Sequence, residues 1–189
     1  MAALSGSKVV LVACGSFSPI TYMHLRLFEM AKDALSRRGV NVAKGILSPV
    51  GDSYQKEGLI AGHHRVEMCR RAVADSTWIE VSEWEVTKRD YQLTSIVLEH
   101  FAEVYKDEGL RPMLLCGSDL LESFNMPGVW AESCVRAIGD AMHALFAAYS
   151  AVYLPLSVFP LHCTSFSCVC MCKRNRMARS GIRCLLLPL

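Results

Sequence analysis

Residues 9–24 constrain the fold of this 189-residue chain more than any other segment. The apolar run at 9–14 predicts a buried strand, and Gly15 follows it directly. Pro19 stiffens the loop, and Thr21 is a suitable N-cap for a helix that starts just after it. A buried strand, a tight loop and a helix start therefore follow one another without a break.

A loop of this form suits a phosphate group. Gly15 lets a ligand approach the backbone closely, and the following helix presents unpaired N–H groups and the positive end of its dipole. His24 lies in the first helical turn, where the phosphates would be, although it could also be an ordinary polar residue of that turn. The segment lacks the Gly-Lys-Ser/Thr ending of a P-loop and the third glycine of a dinucleotide fingerprint, which argues against those two classes.

The loop resembles the signature of the nucleotidyltransferase superfamily. It reads Gly-Ser-Phe-Ser-Pro-Ile-Thr-Tyr-Met-His, whereas the superfamily motif ends in His-x-Gly-His. Thr21 therefore replaces the first histidine and Met23 replaces the glycine. With the Leu-Arg-Leu-Phe-Glu that follows, this variant is similar to the eukaryotic nicotinamide/nicotinic acid mononucleotide adenylyltransferases.

Strand and helix patterns alternate through the first part of the chain. Apolar runs predict strands at 8–14, 42–48, 78–82 and 112–116. Helical patterns occur at about 21–38, 61–74 and 89–106, the first with an apolar stripe of Phe28, Ala31 and Leu35. Such alternation implies right-handed crossovers, so we predict an α/β fold with a Rossmann-like parallel sheet and helices on both faces.

Ligands of such sheets bind beyond the carboxyl ends of the strands. The second strand is followed by a glycine-bounded loop with Lys56, and the fourth by Gly117 and Asp119, whose carboxylate could accept hydrogen bonds from a ribose. Between them, residues 90–94 open a helix. All three segments match the same adenylyltransferase family, and the match extends from about residue 8 to 140.

The resemblance implies one catalytic residue, His24, and two groups of binding residues. The ATP and nucleotide side would consist of Gly15, Ser16, Phe17, Thr21, His24, Gly117 and Asp119. The mononucleotide side would consist of Ser16, Lys56, Tyr91, Thr94, Val129 and Trp130.

Structural alternatives exist for several of these residues. Asp119 or Ser118 could cap a helix that begins near Leu120, and Trp130 could be a core residue. Lys56 could be an ordinary surface lysine. Trp84 is interpreted as structural.

The implied reaction is adenylyl transfer from ATP to nicotinamide or nicotinic acid mononucleotide, which forms NAD or deamido-NAD and pyrophosphate. The implied cofactor is Mg²⁺ held mainly by ATP, with no metal site on the protein and no nucleic acid polymer as partner. A different nucleotidyltransferase, acting on pantetheine phosphate or a choline-type phosphate, is the alternative within the enzyme class. Tyr91 with Thr94, and the Val129-Trp130 pair, argue against it.

The composition changes near residue 140, where the resemblance stops. Residues 131–189 carry six basic and two acidic residues, and six of the nine cysteines. The Ile-Ser-Ser-Thr-x-x-Arg motif with which family members grip the ATP phosphates is not recognisable. We therefore predict an incomplete nucleotidyltransferase domain over 1–140, and a divergent apolar tail over 141–189 that is poorly ordered or foreign to the fold.

The tail leaves several interpretations open. Residues 141–161 are long enough to span a bilayer, but Pro155 and Pro160 interrupt the apolar stretch, and an alternative or misread exon is the favoured origin. An inactive truncated relative that only binds nucleotides, partners or a membrane is the alternative to an enzyme. The N-terminus shows no secretory signal, which predicts a cytoplasmic or nuclear location, and a homo-oligomer stays open.

Overall fold

In the computed structural model, residues 6–117, 120, 123–124, 126–131, 133–135 and 138 are described, together with the backbone of 145–148 and 184–186. The first elements in chain order are β1 (Lys8–Gly15), α1 (Tyr22–Ser36), β2 (Asn41–Pro49), α2 (Gly62–Ala72) and β3 (Ile79–Val81). They are followed by α3 (Thr94–Val104), β4 (Arg111–Gly117), β5 (Leu145–Ala148) and β6 (Cys184–Leu186). No helix among the described residues is long and apolar enough to cross a membrane.

The strands form one parallel sheet in the order β3-β2-β1-β4-β5-β6. The order reverses between β1 and β4, which is the point where open α/β sheets bind ligands. Val12 of β1 pairs with Leu114 of β4, so the same register carried three residues further brings Gly15 level with Gly117. The predicted Rossmann-like parallel fold is confirmed.

Two apolar clusters cover the two faces of the sheet. Alternate residues of β1 point to opposite sides, so that Leu11 packs with Phe28 and Leu35 of α1, whereas Val10 packs with Phe101 of α3. The predicted stripe of α1 is fully buried. Gly39, with a φ of 74°, then lets the chain leave the helix and enter β2.

The helix α3 begins at Thr94, later than the sequence pattern predicts. Leu93 has an extended backbone, with φ −66° and ψ 143°, and serves as the N-cap. The residues before it therefore form a loop, and Tyr91 of that loop stacks on Tyr54 instead of joining the helix.

The last two strands come from the region that differs in composition. They extend the sheet beyond β4, and β5 lies within the apolar stretch 141–161. No strand was predicted there, because that uncharged stretch has no alternation or turn signal that would locate one. The other residues of 141–189 lie outside the described residues, so the division at residue 140 stays a prediction.

Candidate functional site

The loop after β1 is anchored by the ring of Phe17. Its side chain is buried, while its backbone has a φ of 44°, a left-handed conformation that is unusual for a residue other than glycine. The ring lies under Gly15, where an added Cβ would stand 3.2 Å from Phe17 Cζ, and it meets the ring of His24 edge-on at 5.2 Å between centroids. The ring of Phe17, one of the predicted site residues, thus packs against both Gly15 and His24.

Thr21 and His24 form a reciprocal cap at the start of α1. His24 Nδ1 accepts the backbone N–H of Thr21 at 2.9 Å and lies 2.7 Å from Thr21 Oγ1. Because Nδ1 is the acceptor, the neutral ring carries its hydrogen on Nε2. Thr21, which stands where the superfamily motif has its first histidine, therefore orients His24. The predicted contacts of both residues with ATP stay predictions.

The loop after β2 brings Lys56 to the loop after β1. Lys56 Nζ donates to Ser16 Oγ at 3.3 Å, although the two residues are 40 positions apart. Two further contacts join the loops: Val50 N–H donates to Gly15 O at 3.0 Å, and Ile60 N–H donates to Ser18 Oγ at 3.3 Å. An ammonium and a hydroxyl side by side can both donate to one phosphate.

Arg65 of α2 lies beneath these loops and was missed by the sequence analysis. Its side chain has no exposed surface, and its guanidinium donates to three backbone carbonyls and to Asp52. Its position offered one signal, since Arg65 falls on the same helical face as the buried residues Gly62 and Cys69.

Glu85 is a second buried charged residue that sequence reasoning missed. It is 2% exposed, and Ser48 Oγ at the end of β2 donates to its Oε2 at 2.8 Å. Burial raises the pKa of Glu85 to about 7, while the Ser48 hydrogen bond and the charge of Arg65 act in the opposite direction. Its charge also contributes to the raised pKa values of Tyr91 and Cys14, whose largest cause is burial. No local pattern separates Glu85 from the exposed Glu83.

Two tyrosines form an aromatic pair between the loop after β2 and the loop before α3. Tyr54 and Tyr91 stack at 5.6 Å between centroids with 24° between their planes, and each is about 40% exposed. The structure thus places the predicted Tyr91 against the loop that carries Lys56. Thr94 lies nearby in sequence as the buried first residue of α3.

The β4 side of the candidate site is described in part. Gly117 ends β4 next to β1, whereas Asp119 lies outside the described residues. Trp130 Nε1 donates to Ser123 Oγ at 2.9 Å and its ring packs on Phe124 at 4.7 Å, while Val129 is 56% exposed. These contacts hold Trp130 against the core, and its role with a nicotinamide ring stays a prediction.

Within the part of the chain that the structure describes, no three His, Cys, Asp or Glu side chains come close enough together to hold a metal ion. The loop after β2 carries two carboxylates, of which Asp52 is paired with Arg65 at 2.8 Å and Glu57 is exposed. A metal ion held by the protein therefore does not fit the described residues of these loops.

Comparisons with known proteins give one consistent result. Residues 12–147 match the model of the cytidylyltransferase-like family. A nicotinamide/nicotinic acid mononucleotide adenylyltransferase of Oryza sativa subsp. japonica is 48% identical, over 68% of this chain and 54% of its own length. One of Arabidopsis thaliana is 46% identical, over 69% and 57% respectively. Nicotinamide/nicotinic acid mononucleotide adenylyltransferase 2 of Xenopus tropicalis is 32% identical, over 74% of this chain and 73% of its own length. The chain thus spans little more than half the length of the two plant relatives.

Proposed function

This chain belongs to the cytidylyltransferase-like family and, within it, to the nicotinamide/nicotinic acid mononucleotide adenylyltransferases, and on that premise we propose that it transfers the adenylyl group of ATP to such a mononucleotide. The products are NAD or deamido-NAD and pyrophosphate. One observation carries the proposal: Lys56, on the loop after β2, donates to Ser16 on the loop that leads to His24, beside the point where the strand order reverses. The hydrogen-bond donors for the mononucleotide phosphate thereby lie next to a loop that suits the phosphates of ATP.

The reaction needs no protein nucleophile. The 5′-phosphate of the mononucleotide carries nearly two negative charges at neutral pH, so its oxygen attacks the α-phosphorus of ATP without a general base, and pyrophosphate leaves. Catalysis then consists of aligning two anions and of stabilising the charge that develops between them.

The residues of the loops after β1 and β2 have separate parts in that scheme. Lys56 and Ser16 hold the mononucleotide phosphate, while His24 and the N-terminus of α1 face the phosphates of ATP. Neighbouring phosphates favour the protonated form of His24. Protonation places a second hydrogen on Nδ1, which then donates to Thr21 Oγ1 at 2.7 Å and no longer accepts the backbone N–H of Thr21.

The remaining predicted residues bind the pyridine ring of the mononucleotide and the adenosine part of ATP. Tyr91, Thr94, Val129 and Trp130 surround the pyridine ring, and Gly117 lets the adenylate lie close to β4, with Asp119 at its ribose. ATP enters as its magnesium complex, in which the triphosphate oxygens carry the metal.

An inactive relative is the second candidate. It is favoured by one feature of the sequence, in which the Ile-Ser-Ser-Thr-x-x-Arg motif is not recognisable. Such a protein would bind the nucleotides and release them unchanged.

The test is a direct assay of the full chain with MgATP and either mononucleotide, followed by chromatographic detection of dinucleotide and pyrophosphate. Dinucleotide formation supports the enzyme. Binding of both nucleotides in calorimetry without product supports the inactive relative, and absence of binding contradicts both candidates.

A matched pair of variants links the activity to the loops. We expect Lys56→Met to raise the KM for the mononucleotide by roughly 10- to 100-fold, because a charge-assisted hydrogen bond is lost. Lys8→Met removes an equally charged lysine from the opposite end of β1 and should leave KM unchanged. Equal behaviour of the two variants would contradict the assignment of Lys56.

A further inference from the structure

We propose that Arg65 is the positioning residue of the mononucleotide half of the site: it sets the spacing between the loop of Ser16 and the loop of Lys56, and thereby the affinity for the 5′-phosphate of the acceptor nucleotide. The inference rests on the proposed function in assigning a phosphate to these two residues. Arg65 itself does not touch the substrate.

The guanidinium connects three separate segments. Its Nε donates to Ile60 O at 2.6 Å and its Nη1 to Ser16 O at 3.1 Å. Its Nη2 donates to Val50 O at 2.7 Å and to Asp52 Oδ1 at 2.8 Å. Four acceptors, on the loop after β1 and on both ends of the loop after β2, are thus fixed by one planar group.

The position of these acceptors relates Arg65 to the phosphate donors. Ser16 offers its carbonyl to Arg65 and its hydroxyl to Lys56, so the same residue joins both contacts. Lys56 lies between Val50 and Ile60 in the chain, and Arg65 holds both of those residues. A shift of the guanidinium would therefore change the 3.3 Å spacing of the Ser16–Lys56 pair from both sides.

A lysine side chain at this position cannot make the same set of contacts. The N–H groups of arginine point in fixed directions within one plane, whereas the ammonium of lysine is a single point with three donors. The contact with Val50 O is buried, so water cannot readily reach that carbonyl when it loses its donor. Gly62 seats α2 closely enough for the contact, since a Cβ there would overlap Val86 Cγ2 and stand 3.3 Å from Arg65 Nη2.

The first test compares Arg65→Lys with Arg71→Lys in the full chain. Arg71 lies on the exposed face of the same helix, paired with Glu67, and its variant should match the wild type. For Arg65→Lys we expect the Kd for nicotinamide mononucleotide in calorimetry to rise about tenfold or more. The Kd for MgATP, for which only the Ser16 side of the contact matters, should rise by a clearly smaller factor. An equal loss for both ligands, or no loss, would overturn the proposal.

Hydrogen exchange of the same proteins gives a readout that does not depend on ligands. In Arg65→Lys the amides of residues 16–20 and 50–61 should lose protection, whereas those of β1 and α1 should keep it. Unchanged protection of the two loops would contradict positioning by Arg65. If the wild-type chain makes no dinucleotide, the proposed function fails, and this exchange comparison still decides the role of Arg65.

Asp52→Asn covers the case in which Arg65→Lys does not fold. It weakens one of the four contacts and leaves the three carbonyl contacts in place. We expect a smaller effect in the same direction, a rise of about two- to fivefold in the Kd for the mononucleotide with that for MgATP unchanged. A variant that affects both ligands equally, or neither, would overturn the proposal.

Discussion

The two sides of the point where the strand order reverses are held by different forces. On the β1–β2 side, Arg65 and Glu85 are buried and bind loop carbonyls or side chains through directional hydrogen bonds. On the β4 side, Trp130 is held by ring packing and one hydrogen bond. Hydrogen bonds to buried charges fix positions within narrow limits, whereas packing tolerates small changes. The β1–β2 side should therefore respond more strongly to substitution and to pH.

The largest expected effect is the loss of His24. His24→Ala removes the group that we propose to face the ATP phosphates, and we expect turnover to fall by roughly 10²- to 10³-fold, as for the loss of a preorganised donor. Stability should fall by only about 1 kcal/mol, because the side chain is partly buried and its loss removes one cap contact at the start of α1. The measurement is kcat for dinucleotide formation together with thermal unfolding.

The control for His24 is Tyr22→Ala, in the same helical turn. Tyr22 is 90% exposed, so its removal should leave both turnover and unfolding unchanged. Dinucleotide formation by His24→Ala at a rate near that of Tyr22→Ala would contradict the catalytic assignment.

The second effect is on the pH dependence of stability. The pKa of Glu85 is about 7 in the folded chain against an ordinary 4.5, so its favourable contribution is complete below pH 4.5 and is lost as the pH rises through about 7. Over that window the loss amounts to about 3 kcal/mol. Glu85→Gln should abolish this part of the pH dependence, measured by urea unfolding at several pH values.

Glu80→Gln is the matched control for Glu85. The side chain of Glu80 is exposed on β3, next to solvent, and its variant should keep the wild-type pH dependence. Parallel curves of unfolding free energy against pH for Glu85→Gln and the wild type would contradict a raised pKa of Glu85 in the folded chain.

Local patterns were sufficient to predict the first seven elements and their order. Leu11 and Phe28 belong to apolar runs and stripes that depend only on near neighbours in sequence. The start of α3 was wrong by several residues, because the stacking of Tyr91 on Tyr54 is a contact over 37 positions. The strand β5 was missed because it depends on the open edge of β4.

The candidate site divides in the same way. The loop of Gly15 and His24 could be predicted, since its glycine, cap and helix start lie within ten residues. Arg65 and Glu85 could not, because their burial depends on Ser16, Val50 and Ser48, which are distant in sequence. Hydropathy alone assigns both residues to the surface, and only their partners make burial favourable.

A smaller effect is expected where α2 packs against the segment after β3. In Gly62→Ala the new Cβ would overlap Val86 Cγ2 and stand 3.0 Å from Asp52 Oδ1, so we expect a loss of about 2 kcal/mol in the free energy of unfolding. Gly58→Ala has open space but a φ of 71°, and should cost only about 1 kcal/mol. Chemical denaturation measures both. An unchanged free energy of unfolding in Gly62→Ala would show that α2 can move away from the loops at no cost in stability.

The smallest effect is expected on the β4 side. Trp130→Phe keeps an aromatic ring against Phe124 but loses the hydrogen bond to Ser123, which should cost about 1 kcal/mol. Ser123→Ala removes the same bond from its other end, together with the bond that Ser123 Oγ donates to Leu120 O at 2.6 Å. The double variant should therefore cost less than the sum of the two single ones, because the Trp130–Ser123 bond is lost only once. Unfolding free energies and the KM for the mononucleotide measure these effects. If Trp130→Phe raised that KM as much as Arg65→Lys, the β4 side would be positioned as strictly as the β1–β2 side, and the contrast between them would not hold.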